Sequence, residues 1–569
     1  MKHIVAVVFA LSVFWQGGFS DMAWLVFGAI AAILLIVKIR VFPPVTVNLL
    51  FAGLILAYAA ATVLHGSHME GWVGTAKITA AYLWVVLFHN IEIDIDDTVF
   101  VSGLVAATSG ILAYCGLLPV MGMVSAGRLQ GPFQYANAFA LLLGVCALLA
   151  RLSKKAKKRS HFAGLMEIAL FLTQSVGGIA VFIGGFVLLY SSNKENRKIL
   201  DSQMPCMIFS LVCAGTMFVF ANYLPVYAAI FPAASIFLLQ QPFEYFSKYS
   251  GLKWIMAGIL VVFGAIVFYR TGMRPFGTYI ERLIQISDGV RTIVENPLGI
   301  GPGAWQFEVY ARQSAFYDAV FLHGGYISIG VDAGISAIAF CLALIFCKIR
   351  RNLVSKYNIA MYMILFHALF DFSLSFFAVI FLLCGLGAPQ PNKKETSLRR
   401  INVYKILFVP CLMIFAILII PKAAINNAKW AAISGDYSGA SDILNTPFLD
   451  RDTEAKLLKL YYTAKMEHFE RFDEVFVSLD NPNSEAYYHM THTLLERGII
   501  SEATDMAELC AKNAPYHLSG YELMEEVGKQ IVDPEIRENH AAKILGLKKT
   551  ALEHIHPLAK YIPDDRGIH

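Results

Sequence analysis

Three stretches of this sequence place polar residue types with chemical potential inside an otherwise apolar chain. The first is Gly127-Arg-Leu-Gln-Gly-Pro-Phe-Gln-Tyr-Ala-Asn137. Its Gly131-Pro132 pair forces a non-helical turn, and Asn137 sits at the mouth of the next helix. Arg128 is the strong anion ligand of this loop, unless it only anchors the chain at a membrane interface. The second stretch is the long polar segment 270–326. It holds Arg282-Leu-Ile-Gln-Ile-Ser-Asp288-Gly-Val-Arg291, then Asn296-Pro-Leu-Gly-Ile-Gly-Pro-Gly-Ala-Trp305, then His323-Gly-Gly-Tyr326. The third is His367-Ala-Leu-Phe-Asp371, an i,i+4 pair within an apolar run. Each of these two groups is costly in lipid alone, and together they can share a hydrogen bond. A hairpin-stabilising pair and a functional pair are both open here.

Spacing narrows the possibilities. If 280–294 is helical, Arg282 and Arg291 lie nine residues apart, about 180° around the axis. Only one of them then faces a shared cavity. The same arithmetic groups His323, Tyr326 and Gly330 and puts Asp332 on the other side. The glycines at 299–303 fit neither a dinucleotide fingerprint nor a P-loop, so nucleotide binding is not expected. The nine cysteines show no CxxC or Cys/His metal spacing, and neither a metal nor a cofactor is expected.

These residues need elements to hold them, and the composition says which. Of 569 residues 57% are hydrophobic and 15% charged, with mean hydropathy +0.57. Soluble domains carry about 25% charged residues, so this is a chain dissolved in lipid. A net charge of +4 is too small to suggest nucleic acid. Apolar runs from 4–16 to 404–420 predict an all-α, polytopic bundle of about fifteen transmembrane helices. The run after Lys2 could be a signal peptide, but no A-x-A-like site follows, and an uncleaved first helix is expected. The stretches 162–191 and 358–388 are each too long for one span, and Gly177-Gly178 and Asp371 offer turning points. Splitting both gathers the basic loops, including Arg151 to Arg159, on one side. By the positive-inside rule that side is cytoplasmic, and 270–326 and the C-terminus are extracytoplasmic. The division expected is a transmembrane region 1–420 and a soluble helical domain 421–569. Within the latter, Tyr487, Met490, Leu494, Gly498, Ile500, Ala503 and Pro515 fit the offsets of a tetratricopeptide repeat. A generic helical bundle is the alternative, and either would serve as a docking surface for a protein partner.

Taken in order, these motifs resemble the O-antigen ligase and polymerase superfamily over roughly residues 100–390. The resemblance lies in Arg-x-x-Gly-Pro-Phe…Asn from Arg128 and the helix carrying Arg282. It continues in Asn296-Pro-Leu-Gly-Ile-Gly-Pro-Gly-x-Trp305, His323-x-x-Tyr326 and His367…Asp371-Phe372. It implies a GT-C-like membrane enzyme at the outer face of the cell membrane. Such an enzyme moves glycan from a polyprenyl diphosphate, such as undecaprenyl diphosphate, to an acceptor hydroxyl on a glycan, lipid or protein. It implies that Arg282 holds the diphosphate and that His323 acts as base or orients the acceptor. Arg128, Arg291, Asn137, Tyr326 and Trp305 would line the substrate site, with Asp332, His367 and Asp371 behind them. The chain departs from the pattern at Thr173-Gln-Ser175, where many relatives carry Ser-Arg. It departs again at Asp332, often Glu, and at Gly324, often Asn. The residue chemistry agrees: a diphosphate leaving group needs cations, and arginine is the counter-charge on offer. A hydroxyl acceptor needs a base, for which histidine is suited at neutral pH. The competing readings are a transporter of the same lipid-linked glycan, which calls for broken helices at membrane depth, and a non-catalytic scaffold.

Overall fold

In lipid every backbone N–H and C=O must be satisfied within its own segment or by buried protein, and the chain is built accordingly. The computed structural model describes residues 2–66, 68–91, 93–153, 155–220, 251, 255, 258, 262, 274–349, 355–387, 398–479, 482–562 and 567–568. Among them the only sheet is a two-stranded hairpin pairing Val124–Ser125 with Arg128–Leu129. Most of the rest is helix. Seven described helices are long and apolar enough to cross a bilayer: Asp21–Lys38, Val45–Leu64, Met69–Asn90, Ile95–Tyr114, Lys194–Phe218, Gly325–Cys347 and Lys405–Ile433. Five shorter apolar helices accompany them: Lys2–Phe14, Ala136–Arg151, His161–Leu172, Val176–Ser192 and Phe377–Leu386. The span expected at 226–241, and that at 252–269 apart from residues 255, 258 and 262, lie outside the described residues.

Packing divides the chain into two compact units. One comprises Met1–Phe51, Thr79–Gly272 and Leu342–Leu412, the other Ala52–Ile78, Met273–Cys341 and Met413–His569. The composition change at 420 falls inside a continuous helix, Leu398–Ile433.

The first unit is organised around Ala136–Arg151. This helix is apolar nearly all round and buried along almost its whole length, as such a pattern requires. It packs against Ile95–Tyr114, Ala156–Leu172, Val176–Ser192 and Lys356–His367. Arg151, read from the sequence as part of a basic loop, is instead completely buried at the end of this helix. Its Nε meets Glu167 Oε1 at 2.5 Å and its Nη2 meets Oε2 at 2.6 Å. The Gln203 carboxamide closes the pair at 3.0 Å. A buried guanidinium is tolerated only with such bidentate, fully bonded geometry. The stretch 162–191 is two helices, but the turn falls at Thr173–Ser175 rather than at Gly177-Gly178. Gln174 takes the left-handed conformation, and Ser175 Oγ caps the next helix by accepting from Gly178 N at 3.2 Å. The glycine at 178 lets that helix approach Ala140 closely.

In the second unit the C-terminal helices run Tyr437–Leu444, Thr453–Lys465, Phe469–Val477, Ser484–Glu496, Ile500–Asn513, Leu518–Gln530 and Pro534–Glu553. Asp436, Asp452, Asn483 and Asp533 cap four of them through first-turn N–H groups. Consecutive helices pack together. In addition Ser484–Glu496 touches both Thr453–Lys465 and Leu518–Gln530. Leu494 and Ala503 are buried in one cluster against which Tyr487, Met490 and Ile500 pack.

The same unit contains a break that periodicity does not announce. The helix Gly325–Ile349 is interrupted at Ala333 (φ −138°) and Gly334 (φ +80°). The freed carbonyls of Val331 and Asp332 accept from Ile300 N (2.8 Å) and Gly301 N (3.2 Å), and Ile335 N donates to Pro297 O at 3.0 Å. The glycine run at 297–303 is therefore a backbone plug for the break. A Cβ on Gly299 would lie 2.6 Å from the Asp332 carbonyl oxygen, and one on Gly334 2.3 Å from that of Pro297. With positive φ added to the clash, Gly334→Ala is expected to destabilise the protein by about 2–5 kcal/mol. Thermal unfolding in detergent reads this directly. Gly184→Ala, where a Cβ meets nothing within 4 Å, is the control and should not lower the midpoint.

Candidate functional site

The segment 274–324 supplies the first of two polar clusters. Its helix Arg274–Glu295 is strongly amphipathic, with Ile280, Ile284 and Ile293 buried in a cluster that also holds Tyr317, Leu322, Ala559 and Ile562. On this frame Gln285 is 1% exposed. Its Oε1 accepts from the His323 backbone N–H at 3.1 Å and lies 2.8 Å from His323 Nδ1. Arg282 stands one turn N-terminal to Gln285, and residues three apart on a helix are surface neighbours. The helix thus brings the expected phosphate ligand and the expected base to the same stretch of one element.

One turn in the other direction, Asp288 is also 1% exposed. Its Oδ2 accepts from Ser314 N and Tyr317 Oη, both at 3.1 Å, while Oδ1 pairs with Arg291 at 3.2 Å. Burial raises its carboxyl above the ordinary carboxylate value, against the hydrogen bonds from Ser314 and the charge of Arg291. Burial and the Asp288 charge hold the Tyr317 phenol well above its ordinary value. Arg291 also donates to the Arg312 carbonyl. This hub fixes the strap 313–322 against the helix. The strap in turn is held by the end of the chain: His556 N donates to Ser314 O at 2.7 Å, and the His517 ring meets Phe316 edge-on at 4.6 Å.

Trp305, expected among substrate ligands, is 5% exposed in the hydrophobic cluster. Tyr326 is half-buried in the first turn of its helix. His323 precedes that helix, so the face shared with Tyr326 and Gly330, which assumed one continuous helix, does not follow. Asp332 sits at the helix break and accepts from Gly303 N at 3.3 Å.

The second cluster lies in the other unit and joins the first and third sequence stretches. Asp371, 1% exposed, accepts at Oδ2 from Tyr135 Oη (2.7 Å) and Asn137 Nδ2 (3.0 Å). Asn137 Oδ1 accepts from Ser175 Oγ at 2.8 Å and is 3.5 Å from Arg128 Nη2. Arg128 Nε donates to the Thr173 carbonyl at 3.1 Å. His367, 3% exposed, pairs through Nδ1 with Ser373 Oγ at 3.2 Å. His367 and Asp371 are both buried beside the turn that ends the helix Lys356–His367. The helix ends at His367, and the turn that follows carries Asp371 to Tyr135 and Asn137.

Gln285 and Tyr135 were not singled out from the sequence, and Asp288 and Ser175 were named there without these partners. Tyr135 and Gln285 stand inside the quoted motifs, and their distance from Arg128 and Arg282 was the available signal. Among the described residues no group of three or more His, Cys, Asp or Glu side chains could hold a metal ion. Comparisons with protein-family models, curated proteins and solved structures found no match.

Proposed function

We propose that this chain is a multi-pass membrane glycosyltransferase of the O-antigen ligase and polymerase type. In this reading it transfers or polymerises glycan from a polyprenyl diphosphate onto an acceptor hydroxyl at the outer face of the cell membrane. About fifteen spans are proposed, with 421–569 as an extracytoplasmic, tetratricopeptide-like array. The observation that carries the proposal is the arrangement on one helix of Arg282 and of Gln285, the partner of His323. In the step envisaged, the acceptor oxygen bonds to the anomeric carbon as the bond to the diphosphate breaks, with inversion. His323 takes the hydroxyl proton, and Arg282 meets the charge developing on the leaving group.

One specific observation favours the transporter reading: the break at Ala333–Gly334 in an apolar helix, with Asp332 beside it. Here, however, the broken end is filled by the backbone of 297–301. The two readings separate in proteoliposomes given a polyprenyl-diphosphate oligosaccharide and an acceptor. Formation of a new glycosidic bond, surviving EDTA, is the expected result. A ladder of products identifies a polymerase and a single addition a ligase. Movement of intact lipid-linked glycan without bond formation overturns the enzyme.

A further inference from the structure

We propose that Gln285 is the positioning residue that fixes His323 in one tautomer, with the proton on Nδ1 and the basic lone pair on Nε2. The inference rests on the reading above only where it assigns His323 a task. The geometry stands by itself.

The His323 N–H can only donate, and it points to the Gln285 side-chain atom at 3.1 Å. That atom is therefore the carboxamide oxygen, since the amide nitrogen accepts nothing. The same oxygen lies 2.8 Å from His323 Nδ1. Two acceptors cannot make this contact, so Nδ1 carries the hydrogen and donates it. In a neutral imidazole the lone pair then belongs to Nε2. Gln285 is almost wholly buried, so the oxygen is held in place by the packing of its helix. A hydroxyl proton has one nitrogen to go to, and the ring does not have to change tautomer before reaction.

The partner is also a neutral one. A carboxylate in its place would stabilise the imidazolium and keep the base protonated at neutral pH. A carboxamide orients the ring with no net charge.

The test reads His323 directly. The full-length protein in detergent is exposed to diethyl pyrocarbonate, which modifies unprotonated imidazole, across a pH series. Modification of the His323 peptide is then quantified by mass spectrometry. Gln285→Glu, nearly isosteric, is expected to raise the pH midpoint of His323 by about one to three units. Gln285→Leu, which removes the acceptor, is expected to lower it. The charged neighbours along the segment, Glu281, Arg282, Asp288, Arg291 and Asp318, are unchanged in both variants. Each variant is checked for a monodisperse elution profile, and either one suffices if the other fails to fold. An unchanged midpoint overturns the inference. The acid limb of the pH–rate profile for transfer is measured in the same variants. If the chemical midpoint moves and that limb stays still, Gln285 does position His323, and it is the role of His323 as base that fails.

Discussion

His323→Ala is expected to lower transfer turnover ~10²–10⁴-fold, the usual worth of a positioned general base. Membrane insertion and the thermal midpoint should change little. The ring is half-buried, and its backbone N–H bond to Gln285 remains in the variant, so truncation removes Nε2 while sparing the strap. The loss should appear in kcat more than in KM, because the proton moves only in the transition state. Near-normal transfer by His323→Ala, with His65 or His68 essential instead, would overturn the assignment. His65 is a real competitor: its Nε2 meets the Gly299 carbonyl at 3.0 Å, within the same unit.

The second large effect concerns Arg282. Arg282→Ala is expected to cost ~10²–10³-fold in turnover, as for loss of one positioned charge-stabilising group. Arg282→Lys should recover little, since an ammonium cannot reproduce the planar, two-pronged contact of guanidinium with phosphate oxygens. Arg291→Ala is the comparison, and the structure changes what is expected of it. Arg291 is tied to Asp288 and to the Arg312 carbonyl, so its removal should loosen the strap by about 1–3 kcal/mol, since it leaves the buried Asp288 carboxylate short of a partner. Turnover per folded molecule should stay near wild type. Transfer assays normalised to monodisperse protein, beside thermal unfolding, distinguish the two. If Arg291 proves essential and Arg282 dispensable, the diphosphate site must be rebuilt around Arg291.

Helical class and membrane character were legible because they rest on composition and run length, which are properties of segments. The helix Arg274–Glu295 was legible in part, through the rotation separating Arg282 from Arg291. The break at Ala333–Gly334 was not. Residues 327–347 are apolar but for Ser328, Asp332 and Ser336, and the partner loop 297–301, some thirty residues upstream in sequence, supplies the hydrogen bonds that make a break affordable. Arg151 was misplaced for a similar reason. A basic residue at the end of an apolar run reads as a cytoplasmic anchor until Glu167 and Gln203 are seen around it.

The sequence by itself determined a mostly helical chain with helices long and apolar enough to cross a membrane, and the polar stretches worth examining. These follow from periodicity, hydropathy and local hydrogen bonding, all set within a few turns of chain. Only the tertiary structure decided that Gln285 is the partner of His323, and that Asp371 meets Tyr135 and Asn137. It alone also showed that residues near 556 and 567 brace the strap around Ser314 and Phe316. Each of these is a contact between residues far apart in sequence. Such a contact is chosen by which buried polar groups remain to be satisfied once the helices have packed, and no local pattern carries that information.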